Sequence, residues 1–337
     1  MWGVGEQSRG VVSRALLRRG VLALLPLVLL SLAFLVMRHE LRELSAAAMM
    51  RALTSIPRER IAWAVVCAAS NYLALTLYDV LALRHLGRRL PYRQVGFTSF
   101  VGYAFGHNIG MSFLTGGGVR YRLYSARGLS AWDVARVGTF NALTFWSGLL
   151  AVAGVALVVD AGQGAMSALS LRPGVARGLG LGMLGVLGAY LVACARVRRT
   201  LKVPRLGVEL SLPTWRLAVA QVVVSCLDWT LGAMVLWVLL PQGVGIQPAS
   251  MVALFAVAQL LGIASQVPGG LGVFDSVILA ALTPEVPGAV VLGTLVVYRV
   301  VYYLLPFAVA SLMLAGHELS LHRGQVAQWR GRRRQAG

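Results

Sequence analysis

An all-α, polytopic membrane fold is predicted by three features of this chain: its apolar composition, the length of its apolar runs, and the placement of its arginines. Of 337 residues, 58% are hydrophobic and 13% charged, with a mean hydropathy of +0.73. A soluble domain carries about a quarter charged residues, so this balance belongs to a chain that resides in lipid. The net charge is +19. Nearly all of it is arginine, because Lys202 is the sole lysine. A basic chain raises nucleic acid as a partner. Here the arginines gather between apolar runs, as the positive-inside rule requires, so no nucleic-acid partner is expected.

The runs set out about six continuous spans, each near the length that crosses a bilayer. They cover residues 20–37, 61–83, 137–159, 178–195, 217–240 and 290–315. Arg18 and Arg19 before a leucine run resemble a secretory signal, but the run continues to Met37 with no small-residue cleavage site. An uncleaved anchor is expected. Residues 38–60 mix arginines with Glu40, Glu43 and Glu59 around spaced apolar residues, which suits a helix lying on the membrane surface.

Two further segments are broken. Residues 97–115 are apolar but carry Gly102, Gly106, His107, Asn108 and Gly110, and end in Gly116, Gly117 and Gly118. Arginines lie on both sides of this stretch, so it is expected to enter and leave on one face. The second break reads Ser-Gln-Val-Pro-Gly-Gly-Leu-Gly-Val-Phe-Asp over residues 265–275. Pro268 removes a backbone donor, and Gly269, Gly270 and Gly272 loosen the chain beside Asp275. In lipid, broken backbone and charge are tolerated only where protein or a water-filled cavity surrounds them. No basic residue occurs in 241–248 or 284–288. This break is therefore expected to enter from the outside, opposite the first, as in the inverted repeats of secondary transporters.

Loop charge also sets the orientation. A basic N-terminus (1–19), the Arg84 and Arg120 regions, the 196–216 loop and a basic tail (316–337) are expected in the cytoplasm, around a membrane domain spanning 20–315.

Several motifs have an ordinary reading beside a functional one. Gly180, Gly182 and Gly185 match a dinucleotide fingerprint, but no soluble strand precedes them. A close-packing face through Gly178, Gly182, Gly185 and Gly188 is expected instead. Gly116, Gly117 and Gly118 followed by Arg120 and Arg122 resemble a phosphate-binding nest, with an ordinary basic loop as the alternative. Asp228 lies mid-span, where a carboxylate costs about 3 kcal/mol and needs a partner. Arg299 is the expected partner, in either a structural ion pair or a substrate contact. Asp79 is expected at a solvated interface. His107 and the tyrosines 298, 302 and 303 are ordinary interior or interfacial residues, or cavity lining. Cys67, Cys194 and Cys226 lack metal spacing. No catalytic set, cofactor site or metal site is present in the sequence.

Seven pieces of the chain stand together: Ser99-Phe-Val-Gly-Tyr-Ala-Phe, Asn108-Ile-Gly, Gly118-Val-Arg-Tyr-Arg-Leu-Tyr124, Leu143-Thr-Phe-Trp146, Leu227-Asp-Trp229, Val267-Pro-Gly-Gly-Leu-Gly-Val-Phe274 and Tyr298-Arg-Val-Val-Tyr-Tyr-Leu-Leu-Pro306. In these the chain resembles the N-terminal membrane domain of the multiple peptide resistance factor family, the lysylphosphatidylglycerol synthase and flippase proteins. The resemblance runs from about Leu22 to Glu318.

The resemblance implies movement of aminoacylated phosphatidylglycerol, such as lysyl-phosphatidylglycerol, from the inner to the outer leaflet of the bacterial cytoplasmic membrane. That movement lowers the negative surface charge and confers resistance to cationic peptides. Relatives usually carry glutamate where Asp275 stands. The family's synthase activity belongs to a C-terminal soluble domain, and none is expected before Gly337. Partners would then be the phospholipid, a separate synthase domain or protein, and a second copy of the chain. The expected roles are lipid-phosphate binding by Arg120, Arg122 and Gly116–Gly118. Asp228, Asp275 and Arg299 would meet a cationic headgroup or pair with one another. Asn108, Pro268, Gly269, Gly270 and Gly272 would form the re-entrant segments. Two other readings stay open: a membrane partner of a lipid aminoacyltransferase without transport of its own, and a membrane enzyme that modifies headgroups.

Overall fold

The computed structural model describes residues 56–109, 112–159, 172–197, 201–203, 208–210, 212–264, 272–283 and 285–335. The 20–37 span, the surface segment before Ile56, and Pro268, Gly269 and Gly270 lie outside the described residues.

The elements are helical in order: α1 (Arg58–His85), α2 (Tyr92–Ile109), α3 (Ser112–Ser125), α4 (Ala131–Val159), α5 (Pro173–Arg196), α6 (Trp215–Leu239), α7 (Pro248–Ala264), α8 (Val273–Leu282), α9 (Gly288–Arg299) and α10 (Leu305–Gln335). A five-residue π-helical stretch, Val300–Leu304, joins α9 to α10. Two three-residue strands, Leu201–Val203 and Val208–Leu210, pair antiparallel in the basic connection before α6. Among the described residues, five helical segments are long and apolar enough to cross a bilayer: α1, α4, α5, α6 and the run Gly288–Ser320. The chain is a multi-pass, all-α membrane protein.

Local chemistry sets the helix limits. At the end of α1, Gly87 takes φ 68°, a left-handed conformation that costs glycine little. The turn lets Arg88 N–H reach Leu83 O at 2.9 Å and Gly87 N–H reach Arg84 O at 3.1 Å, satisfying carbonyls that a helix end leaves unpaired. Pro173 opens α5 at its first position, where no intrahelical donor is needed.

Helix α1 runs antiparallel to α6. The Arg60 guanidinium donates to Leu240 O at one end, Asn71 meets Asp228 midway, and Tyr78 meets Ser225 further along. Small residues allow the tightest approaches. A Cβ on Gly148 of α4 would lie 2.1 Å from Ser225 Oγ of α6. A Cβ on Gly180 of α5 would lie 2.6 Å from Gly154 O of α4. Small residues at such crossings let backbones pack closely in lipid.

The packing face of α5 differs from expectation. It runs through Ala176, Gly180, Leu187 and Cys194, which are buried. Gly178, Gly182, Gly185 and Gly188 meet nothing within 4 Å. A helix turns about 100° per residue, so a two-residue offset from Gly180 carries Gly178 and Gly182 to other faces. Val175, Leu179, Leu181, Val186 and Val192 of α5 are exposed, as lipid-facing residues are. Trp63, Trp132 and Trp215 are also exposed and sit within the first two turns of their helices, where interfacial belts form.

The two broken segments are helical hairpins that enter from opposite ends of the bundle. In the first, α2 descends from the His85 end of α1 and α3 returns. Its tip stops beside Tyr72, halfway along α1, where the His107 ring lies 6.0 Å from that of Tyr72. In the second, α7 leaves the Leu239 end, with the Trp237 indole donating to Ile246 O at 3.0 Å. Phe255 of α7 then meets Trp229 and Phe274, and α8 returns toward Glu285.

Gly116, Gly117 and Gly118 do not form a nest. They lie inside α3, in helical backbone, so their N–H groups point along the helix rather than converging. Gly116 acts by its size: a Cβ there would lie 2.7 Å from Gly102 O across the hairpin.

Replacing Gly148 by leucine should disrupt the α4–α6 contact and lower stability by about 1–3 kcal/mol or more. Gly182→Leu, on an open face, should be neutral. Thermal unfolding of the two purified variants, monitored by size-exclusion profile, checks the contrast.

Candidate functional site

Polar residues on one face of α1 form the base of the site. Asn71, Tyr78 and Asp79 are all buried. Their spacing of i, i+7 and i+8 places them on one helical face. Inside an apolar span each must find a partner, and two neighbouring clusters result.

The first cluster surrounds Asp79, which is 0% exposed rather than solvated at an interface. Arg120 Nε donates to Oδ1 at 3.1 Å and to Oδ2 at 3.0 Å. Tyr124 Oη donates to Oδ2 at 2.7 Å, and Asn141 Nδ2 donates to Oδ1 at 2.6 Å. Helices α1, α3 and α4 thus meet on one carboxylate. The Arg120 guanidinium lies over the Tyr103 ring, 4.4 Å from its centroid, a cation–π contact strengthened by desolvation. A Cβ on Gly102 would sit 3.1 Å from Arg120 Nη1, so glycine there leaves room for the guanidinium. Arg120 Nη2, Asn141 Oδ1 and His107 Nδ1 are buried without a hydrogen-bond partner.

The second cluster surrounds Asp228. Asn71 Nδ2 donates to Asp228 Oδ1 at 2.8 Å and to its carbonyl at 2.7 Å. Tyr78 Oη lies 2.7 Å from Oδ2 and 2.9 Å from Ser225 Oγ. Tyr302 Oη donates to Asn71 Oδ1 at 3.1 Å. All of these donors are neutral. Asp228 does not pair with Arg299, because it faces α1.

Arg299 pairs with Asp275 instead. Asp275 lies at the start of α8, after Gly272 turns the chain at φ 83°. Its Oδ2 also accepts the Gly272 N–H at 3.2 Å. Both residues are partly exposed, 24% for the Arg299 side chain and 21% for Asp275, so this pair borders open space where the Asp79–Arg120 pair does not.

A column of rings connects the hairpins. His107 stacks near Tyr302 at 6.3 Å, Tyr302 on Tyr298 at 5.3 Å, and Tyr298 near Phe274 at 6.0 Å. The cause lies in the sequence at Pro306. Proline has no N–H, so Tyr302 O loses its α-helical partner four residues on. The backbone widens into the π-helical stretch, a form frequent at functional sites. The freed carbonyls are taken up by neighbours: Tyr72 Oη donates to Tyr302 O at 3.3 Å, and Asn108 Nδ2 to Tyr303 O at 3.2 Å. The first hairpin tip is thereby tied to the π-helical stretch.

Arg122 lies apart from these clusters. It pairs with Glu318 of α10 at 3.1 Å, both about one-fifth exposed. The structure thus brings Asp228 and Arg120 toward one buried region and sets Asp275 with Arg299 beside the second hairpin. Asn71, Tyr78, Tyr124, Asn141 and Tyr103 are site residues that sequence reading passed over, and Asp79 was expected at an interface instead. The polar spacing along one face of an apolar span was their available signal. Among the described residues no group of three or more metal-ligating side chains occurs.

This arrangement defines a class: a polytopic α-helical membrane protein with two opposed helical hairpins enclosing buried charge. A profile described as Lysylphosphatidylglycerol synthase TM region matches residues 20–310, and the chain belongs to that family. It is 37% identical over 285 residues to the Uncharacterized protein slr0712 of Synechocystis, covering 82% of this chain and 85% of that protein. It is 33% identical over 253 residues to the Inner membrane protein YbhN of Escherichia coli, covering 73% and 76%. A more distant likeness, 24% over 309 residues, is to the Phosphatidylglycerol lysyltransferase of Staphylococcus haemolyticus. It covers 88% of this chain and 34% of that protein. The family suggests a role connected with membrane lipid.

Breaking the Asp79–Arg120 pair by Asp79→Ala should destabilise the protein by about 3–5 kcal/mol, because a buried guanidinium loses its counter-charge. Replacing both as Asp79→Leu and Arg120→Met should recover much of that loss. Thermal shift of the single and double variants in detergent measures the difference.

Proposed function

We propose that this protein translocates an aminoacylated phospholipid, such as lysyl-phosphatidylglycerol, from the inner to the outer leaflet of the bacterial inner membrane. One observation carries the reading: an unpartnered guanidinium nitrogen and a carboxylate held by neutral donors occur in neighbouring buried clusters. Among the described residues, Arg120 Nη2 has no hydrogen-bond partner, and Asp228 accepts only from neutral side chains. A zwitterionic or cationic lipid headgroup supplies complements to both. Its phosphate oxygens accept from guanidinium N–H groups, and its ammonium neutralises a carboxylate.

In this reading Arg120 holds the phosphate at depth and Arg122 attracts it at the cytoplasmic rim. Gly116 keeps the backbone beside Arg120 slim. Asp228 receives the ammonium, and Asp275 with Arg299 forms a second station toward the outer face. The first hairpin around Asn108 and the glycine-rich residues 268–272 are the parts that rearrange, as discontinuous segments do in secondary transporters. The acyl chains stay in the bilayer. Exposure of a cationic lipid on the outer leaflet lowers its negative charge and weakens binding of cationic peptides.

The distant lysyltransferase relative extends well beyond the matched region. That favours, as a second reading, a membrane partner for a lipid aminoacyltransferase, with no transport of its own. Copurification with a synthase, and no lipid movement in reconstituted vesicles, would support this alternative.

The test is reconstitution of the full chain into proteoliposomes holding fluorescent lysyl-phosphatidylglycerol in one leaflet. Translocation should exceed that of protein-free vesicles. Arg120→Lys keeps the charge opposite Asp79 but lacks the planar fork. It should lower the rate about tenfold or more while the protein remains folded. Unchanged rates in folded Arg120→Lys and Asp275→Asn proteins would remove these residues from the pathway.

A further inference from the structure

Three of the buried or half-buried acids of the bundle, Asp79, Asp275 and Asp228, are not equivalent. Asp79 is matched by Arg120 and Asp275 by Arg299. Among the described residues, Asp228 has no cation within salt-bridge distance, although it is only 7% exposed. Its carboxylate accepts from Tyr78 and Asn71. These bonds orient it without cancelling its charge. An unpaired buried carboxylate is strongly disfavoured, and a proton or a cation relieves the cost.

The groups around Asp228 come from several elements. Helix α1 supplies Asn71, Tyr72 and Tyr78. Tyr103 of α2 is near enough to sense its charge, as is Tyr302 of the π-helical stretch. His107 contacts the rings of Tyr72, Tyr103 and Tyr302. Arg120 of α3 is engaged with Asp79. Helix α4 brings the Phe145 carbonyl to Ser225 and Trp229, and α7 brings Phe255 to Trp229. Tyr190 of α5 bonds Gln221, two turns away. Cys226 lies on α6 itself. Among the described residues, no surrounding element delivers a free fixed cation.

From this geometry we infer that Asp228 is an exchange site which binds either a proton or the ammonium of the transported headgroup, so that lipid export is driven by proton entry. The inference rests on the proposed lipid translocation and supplies its energy source. One carboxylate neutralises one positive charge at a time. A proton reaching an Asp228 oxygen forms the neutral acid and releases the ammonium. Loss of that proton to the opposite side restores the carboxylate for the next headgroup. The exchange is one charge for one charge, with no covalent change in the lipid. Asn71 and Tyr78 hold the carboxyl in place in both states. Tyr302, which bonds Asn71 and lies in the π-helical stretch, relays the change to the first hairpin, whose Asn108 bonds Tyr303 O.

Two measurements on the full chain test this. The first is infrared difference spectroscopy of the purified protein across a pH titration. A carboxylic C=O band should grow as pH falls, vanish in Asp228→Asn, and persist with a shift in Asp228→Glu. Lysyl-phosphatidylglycerol should suppress it, whereas phosphatidylglycerol, whose headgroup carries no ammonium, should not. A folded Asp228→Asn protein that keeps the whole band overturns the proposal, whatever the transport result. The second uses the same proteoliposomes with an imposed pH gradient. An inward proton gradient should accelerate lysyl-phosphatidylglycerol export about tenfold in the native protein and leave Asp228→Asn indifferent to the gradient. Export that is robust yet blind to the gradient leaves lipid translocation standing and overturns proton coupling. Absence of any lipid movement, with the Asp228 band and its lipid suppression intact, overturns the transport reading while the exchange site stands.

Discussion

Charge in a low-dielectric interior governs this structure. The Asp79–Arg120 pair joins α1 to α3, and with Tyr124 and Asn141 it draws α4 to the same point. A buried ion pair helps folding only when the geometry is good and the remaining lone pairs are satisfied. Here four hydrogen bonds reach one carboxylate, and the guanidinium rests on an aromatic face. Glycines at 102 and 116 are consequences of that arrangement, since side chains there would collide with the guanidinium or with the opposing helix. The first hairpin is thus built around an arginine that must be placed deep and stay neutralised.

The second organising element is the backbone irregularity before Pro306. A missing N–H releases a carbonyl, the helix widens, and two side chains from elsewhere fill the gap. The same irregularity aligns Tyr298 and Tyr302 in a stack that reaches from His107 to Phe274. Irregular backbone at membrane depth is tolerated because protein groups satisfy it. One span therefore touches both hairpins, and a movement of either has a direct mechanical route to the other. In the proposed transport reading, such a link would couple the two hairpins during alternating exposure of a central site.

Much of the architecture was readable in the residues. Apolar run lengths located the described spans to within a few positions, because bilayer thickness constrains helix length irrespective of packing. The two broken segments were legible from glycine, proline and polar residues in apolar surroundings, and their opposite senses from the arginine distribution. Partner choice was not. Arg299 was expected opposite Asp228, since both lie inside spans. The fold gives Arg299 to Asp275, twenty-four residues away in sequence. Asp79 was placed at an interface because it lies near the end of its span, yet among the described residues it is the acid with the most hydrogen bonds. The glycine triplet suggested a nest because local composition does not distinguish a permissive loop from a slim helix.

Composition and periodicity alone were enough to establish that this chain is a multi-pass helical membrane protein with buried acids and interrupted segments. Those properties follow from the cost of polar groups in hydrocarbon, which acts on each segment separately. Which acid meets which arginine, which is left with neutral donors, and which glycines face a neighbour emerged from the packing. Each of these depends on helix rotation and crossing, set by side chains far apart in the sequence. Asp228 shows the difference most clearly: its burial could be foreseen from its place in the span, but that its partners among the described residues are neutral is a property of the assembled bundle.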